Sequence, residues 1–179
     1  MEDRYTLLFA KGSGSTVSSY TQWGIVCCNV PFKAGVKVKD LAKRDWPDEH
    51  GDDVFIPAKT MFEAYDVEFE MAYAGQELAS NPFNLSLAVT NINAFKKWLT
   101  GNNVPGGSGA ELKIYSPFAS IGRQKCHLLE ISDEDPCLMT KQQNGNVYNE
   151  NVVTFKVKFR VNDPITDITL TESSSSSHV

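Results

Sequence analysis

The stretch Thr154–Pro164, TFKVKFRVNDP, decides the fold class. Phe155, Val157, Phe159 and Val161 alternate with Lys156, Lys158 and Arg160, the period-two pattern of a strand with one buried face. Its other face carries charge of a single sign and calls for an acidic neighbour or for solvent. A matching stretch lies upstream in FEAYDVEFEMAYAG: Tyr65, Val67, Phe69, Met71 and Tyr73 share one face, and Asp66, Glu68 and Glu70 the other. Laid side by side, Phe62 to Ala74 and Val152 to Asn162 would match opposite charges across an antiparallel ladder, each good pair contributing about 0.2 to 1 kcal/mol. Two alternatives stand beside that pairing: both faces simply solvated, or both meeting other subunits. In each case exposed ion pairs are weak and salt-screened, so they set register more than stability.

Further strands are expected at Tyr5 to Ala10, Gln22 to Val30, Asp53 to Pro57, Leu85 to Thr90, Glu111 to Phe118 and Arg123 to Ser132. Each is rich in β-branched or aromatic residues and bounded by turn formers. The count suits a mainly β protein, an antiparallel β-sandwich or barrel. One amphipathic helix is expected from Ile92 to Thr100. Ile92, Phe95, Trp98 and Leu99 form its core face, Asn91 or Asn93 its start and Gly101 its stop. KQQNGNVYN, Lys141 to Asn149, reads as a hairpin around Asn-Gly. Gly101 to Ala110 reads as a glycine-rich surface loop. Lys39 to Asp53 reads as a longer loop of mixed charge, with Leu41 and Trp46 seeking apolar contact and a short helical turn before Pro47. Residues 1–170 are read as a single β-rich domain, and 171–179 as a disordered serine-rich tail.

The formal charge of -5 argues against direct nucleic-acid binding, which needs Lys and Arg in excess on one surface. No basic-then-apolar leader and no run approaching the roughly 20 apolar residues of a membrane helix is present, so a soluble chain without membrane contact is expected. Cys27, Cys28, Cys126 and Cys137 include no CxxC pair, which favours free, mostly buried thiols and assembly in a reducing cytoplasm.

Candidate sites are few. KGSGST, Lys11 to Thr16, has the small residues of a phosphate loop, but its lysine precedes the glycines instead of following them, and it reads as a loop between two strands. DEHGDD, Asp48 to Asp53, crowds carboxylates with a histidine, but Trp46 and His50 stand where a calcium loop needs oxygen donors. A solvated acidic loop is expected there. Cys126 and His127 are strand neighbours pointing to opposite faces, so they cannot form a thiol–base pair. Trp23, Trp46 and Trp98 suit core positions better than a sugar site. No metal, cofactor or catalytic residue is assigned, and the chain is not read as an enzyme.

ELKIYSPF, KCHLLEIS and VVTFKVKFRVNDP, preceded by YTQWGIVCCNVPFK and GDDVFIPAKTMFEAYDVEFEMAYAG, carry a family likeness. In the order of paired strands, one helix, a glycine-rich link and a closing strand that ends in Asp-Pro, the chain resembles the β-barrel-plus-helix domain of long-tailed bacteriophage tails. That domain forms tail tubes and the N-terminal part of distal tail proteins. The resemblance covers most of Tyr20 to Pro164. It implies a non-catalytic virion protein, assembled in the cytoplasm of a bacterial host into a hexameric ring that stacks with other tail proteins. The sequence ends soon after Asp163-Pro164, where some larger distal tail proteins continue into a second, carbohydrate-binding-like domain. Host-sugar binding is therefore not carried over from the resemblance. The contrasting expectation is a monomeric ligand- or carbohydrate-binding β-sandwich module. In the ring reading, Asp66, Glu68, Glu70, Lys156, Lys158 and Arg160 are candidates for pairing or interface faces. The loops Gly101 to Ala110 and Lys39 to Asp52 are expected to become ordered on assembly.

Overall fold

In the computed structural model, the alternating stretch becomes an inner strand of a seven-stranded sheet. The structure describes residues 6–32, 35–48, 50–74, 85–102, 111–133, 137–143 and 146–172. The expected tail beyond Glu172 and the greater part of the Gly101 to Ala110 loop lie outside these residues. In chain order the elements are β1 (Leu8–Lys11), β2 (Val17–Ser18), α1 (Ser19–Trp23), β3 (Ile25–Cys27), β4 (Lys43–Asp45), β5 (Asp52–Val54) and β6 (Tyr65–Tyr73). They continue with α2 (Leu85–Thr100), β7 (Leu112–Ser116), β8 (Ile121–Asp133), β9 (Cys137–Gln143), β10 (Asn146–Val152) and β11 (Thr154–Val161).

The large sheet runs β2-β1-β7-β8-β11-β6-β3, antiparallel throughout, while β9 with β10 and β4 with β5 form two separate hairpins. Flat, seven strands spaced about 4.8 Å apart would hold their edges nearly 30 Å from each other. Yet the edge strands β2 and β3 are joined by the five residues of α1, a helix only about 7 to 8 Å long. The sheet therefore curls into a half-barrel. The ladders at the two edges continue past the strands, with the Ser19 N–H on the Leu7 carbonyl at 2.9 Å beside β2 and the Ala74 N–H on the Gly24 carbonyl at 2.8 Å beside β3.

The concave face holds the core. Phe155, Val157, Phe159 and Val161 of β11 are buried beside Val67, Phe69 and Met71 of β6, Phe9 of β1, and Leu112 and Ile114 of β7. Against them lies α2, through Ala88, Ile92, Phe95 and Leu99. Phe95 is the centre of that contact, with ring centroids 5.0 Å from Trp23, 5.7 Å from Phe9 and 6.2 Å from Phe155.

Several expectations are corrected. Leu85 to Thr90 is the first part of α2 and not a strand. Its Leu-x-Leu-x-Val alternation suggests a period of two, but buried Ala88 belongs to the same helical stripe as Ile92, Phe95 and Leu99, leaving Val89 exposed. Asn91 and Asn93 accordingly sit inside the helix and cap nothing, and Asn91 Nδ2 donates to the Tyr73 hydroxyl at 3.2 Å. Gly101 does end the helix, with φ of 78°, a backbone state glycine adopts without penalty. Trp98 is half-buried at the rim, not in the centre. A second helix, α1, takes up Gln22 and Trp23, so the expected strand from Gln22 to Val30 shrinks to β3. The Ser18 hydroxyl caps α1 by accepting from the Thr21 N–H at 3.2 Å. Lys39 to Asp53 contains no helical turn before Pro47 but β4 and β5, and Leu41 and Trp46 stay exposed. Cys28 is exposed while Cys27 and Cys126 are buried.

Candidate assembly surface

The convex face of the sheet carries the charged residues singled out above. β11 and β6 lie in a register that puts Lys156 opposite Glu70, Lys158 opposite Glu68 and Arg160 opposite Asp66. The ion pairs that form are not all straight across. Arg160 reaches Asp66 at 3.0 Å, Lys158 leans diagonally to the same Asp66 at 3.7 Å, and Lys156 stands 4.0 Å from Glu70. The arginine fork and the lysine share one carboxylate, and Glu68 has no ion-pair partner among the described residues. On its other side β11 meets β8, where Lys158 faces Glu130 and Arg160 faces His127. The basic column is thus flanked by acid on both sides. His127 points outward to Asn162 at 3.0 Å while Cys126 is in the core.

A second feature leaves the sheet altogether. Residues 35–63 run out and back between β3 and β6 as an arm. It is zipped at its base by Lys39 N–H to Met61 C=O at 2.9 Å, Glu63 N–H to Lys37 C=O at 2.8 Å and the Lys37–Glu63 ion pair at 3.0 Å. At its tip it is zipped by β4 and β5, with Phe55 N–H on Ala42 C=O at 2.9 Å and the Lys43–Asp52 pair at 2.8 Å. The partner carboxylates hold both lysines above the usual lysine range. Asp52 and Asp53 of the DEHGDD stretch are engaged here, Asp53 accepting from the Trp46 indole N–H at 3.2 Å, and Arg44 stacks 3.7 Å from the Trp46 ring centre.

Among its described residues the arm buries no large apolar side chain. Val38, Leu41, Trp46, Val54, Phe55, Ile56 and Met61 are all exposed, Phe55 at 70% and Ile56 at 76%. An isolated two-stranded hairpin is marginal in water. Together the seven side chains present apolar area on the order of the several hundred Å² at which a patch on a monomer marks an interface. The sequence named Leu41 and Trp46 as seeking contact but did not indicate that 35–63 projects. The signal was present in DDVFIP, an apolar triplet between an acidic turn and a proline.

The third feature is a strap. After β11 the chain returns along β8. Asn162 N–H donates to Lys125 C=O at 3.1 Å, Gln124 Nε2 to Asp163 at 2.8 Å, and Arg123, buried, to Asp167 and to the Tyr65 hydroxyl. Burial opposes ionisation of Asp163, but hydrogen bonds from Gln124, Thr166 and Ile165 hold its carboxyl below the ordinary value near 3.8. Past the strap, Leu170, Thr171 and Glu172 border a cleft of about 280 Å³ with Tyr20 and Tyr115.

Two of the thiols are chemically quiet. Burial pushes Cys27 and Cys126 up to about 12, so both are protonated at neutral pH. Trp23 and Trp98 meet at 5.3 Å under α2 and Trp46 lies out on the arm, so the three tryptophans form no common site. No helix among the described residues is long and apolar enough to cross a membrane. No protein-family model, curated protein or solved structure matches the chain.

Proposed function

We propose that this chain is a structural subunit that associates with copies of itself through the arm, as a ring-forming component of a long-tailed phage tail. The observation that carries self-association is the arm: an apolar hairpin zipped by its own ion pairs whose large apolar side chains stay exposed, while the buried residues described in the sheet and helices pack one continuous cluster. The ring of six and its setting among other tail proteins come from the resemblance of Tyr20 to Pro164. The curled sheet with a helix on its concave face supports that likeness in architecture.

Size-exclusion chromatography with light scattering on the full chain, followed by electron microscopy of the peak, tests the reading. The expected result is a closed oligomer of about six copies, reduced to monomer by Phe55→Ser with Ile56→Ser. Because both side chains are exposed, that variant should melt as the parent monomer does. A parent chain that stays monomeric at every accessible concentration overturns the proposal.

A further inference from the structure

We propose that the arms pair with one another: the free edge of β5 on one copy adds to the free edge of β4 on the next, so that the hairpins join side by side into one closed sheet. This rests on the self-association proposed above and names the surface that completes it.

Beside its root the main sheet has no place for the arm, because the chain itself follows β6 on the way out. The Cys28 N–H reaches the Glu70 carbonyl at 2.8 Å, and the Asn29 amide donates to the Glu68 carbonyl at 3.0 Å and accepts from the Glu70 N–H at 2.9 Å. Phe32 packs on Phe69 with ring centroids 5.4 Å apart, and Lys37 is bonded at Glu63. The arm beyond is different. Every described residue from Lys37 to Ile56 is exposed, and β4 and β5 form a sheet of two strands with no third among the described residues. It has two edges, and backbone groups alternate sides along each. The Phe55 N–H on the Ala42 carbonyl turns Ala42, Arg44, Asp53 and Phe55 inward across the hairpin. Leu41, Lys43 and Asp45 on one strand, and Asp52, Val54 and Ile56 on the other, keep their N–H and C=O for a neighbour. Unprotected edges of this kind are templates for strand addition.

Identical hairpins placed side by side run β4, β5, β4, β5, antiparallel at every junction. Small shifts of register bring the outward residues of β5 to different outward residues of the next β4, and charge chooses among them. The unshifted arrangement repeats the register within the hairpin and sets Asp52 against the next copy's Asp45. Shifted one way, Asp52 meets Pro47, which has no N–H to give. Shifted the other way, Asp52 meets Lys43 and Val54 meets Leu41, an opposite-charge pair followed by an apolar one. Asp53 then has the next copy's Arg44 on its diagonal, and Arg44 has no ion-pair partner among the described residues. Phe55 lies between two alanines, its own Ala42 opposite and the next copy's Ala42 diagonal, which leaves room for the ring. The edge that gives and the edge that receives are different surfaces, so the contact is head-to-tail, the geometry of rings, and closure leaves no edge of the arms unpaired.

Cys28 is exposed, so the test is made in full chains carrying Cys28→Ser, with that background as the unlinked control. One chain carries Leu41→Cys, the other Val54→Cys, and the two are co-expressed. Facing Cα atoms in a bonded antiparallel pair are about 5.5 Å apart, inside the range that a disulfide spans. Oxidation should link the two chains to each other, while neither variant expressed alone links to itself. Charge tests the register. Asp52→Lys alone and Lys43→Asp alone should each shift from the assembled peak toward monomer at low salt, because each brings like charges to the junction. Co-expressed, these two variants should assemble again, since each offers the other its opposite; a loss confined to the Lys43–Asp52 pair within one arm would not be rescued by mixing. If the parent assembles but the cysteines do not link and the charge variants are not rescued, pairing between arms is wrong and self-association stands. Val54→Cys linking to itself when expressed alone overturns the head-to-tail arrangement. If the parent never assembles, both proposals fall together.

Discussion

Lys11 Nζ stands 4.5 Å from the centre of the Trp98 indole and donates a hydrogen bond to the carbonyl of the same residue. A β1 side chain thus supplies a partner for one of the last carbonyls of α2, places a positive charge at the negative end of the helix, and covers an aromatic face. Burial lowers the lysine pKa, which offsets part of that gain. Lys11→Ala should cost about 1 kcal/mol in urea denaturation, with Lys11→Arg recovering part of it.

Phe95, fully buried between Phe9, Trp23 and Phe155, is the anchor of α2. Phe95→Ala should lose about 3 to 5 kcal/mol, as other buried aromatic truncations do. Trp98→Ala should lose less, because its ring is already partly in water. Comparing the two unfolding midpoints checks the order, and a larger loss at Trp98 would mean that the helix is rotated from the orientation described.

The shared carboxylate predicts an uneven response along the charged ladder. Asp66→Asn breaks contacts to both Arg160 and Lys158 and should cost about 0.5 to 1 kcal/mol at low salt, shrinking as salt is added. Glu68→Gln should be close to neutral in the monomer. A double-mutant cycle on Asp66 and Arg160 isolates the pair, and a coupling energy near zero at low salt would show the face to be merely solvated.

The strap should respond to both shape and acid. A Cβ at residue 122 would overlap the Ile168 carbonyl and approach the Tyr115 ring to 2.8 Å, so Gly122→Ala should displace the strap and raise proteolysis between Asn162 and Glu172. The Asp163 carboxyl has a folded pKa below its unfolded value. Its contribution is therefore fully present above the ordinary value near 3.8 and is lost as pH falls through the lower folded pKa. The protection of the Ile165 and Thr166 amides, measured as exchange relative to an unstructured peptide at each pH, should fall through that window, and Asp163→Asn should flatten the response.

Where burial is strictly one-sided, the sequence states the structure plainly. The alternation of 154–161 and 65–73 is legible because every second residue meets the core, and the opposite charges between them specify the register found. The helix was half legible: from Ile92 onward its stripe is strong, but Leu87 and Val89 lie on its outer side and mimic a strand. α1 was hidden because its five residues bury only Ser19 and Trp23, too few to show a period. The arm was not legible as a projection, since exposure depends on what fails to pack against a residue, and no local pattern encodes that. The Asn29 amide that ends the sheet likewise acts through a contact 39 residues away.

The position of β11 between β8 and β6 has a consequence for the order of events during synthesis. The strand at the middle of this half of the sheet is made after both of its neighbours. Until residues 154–161 have left the ribosome, β6 has only the three-residue pairing with β3, and Val67 and Phe69 have no facing Phe159 or Val157. Contacts of such long sequence separation are slow to form. The nascent chain therefore carries an unpaired, apolar-faced strand until β11 has been made, with the demand for chaperone protection greatest just before β11 emerges.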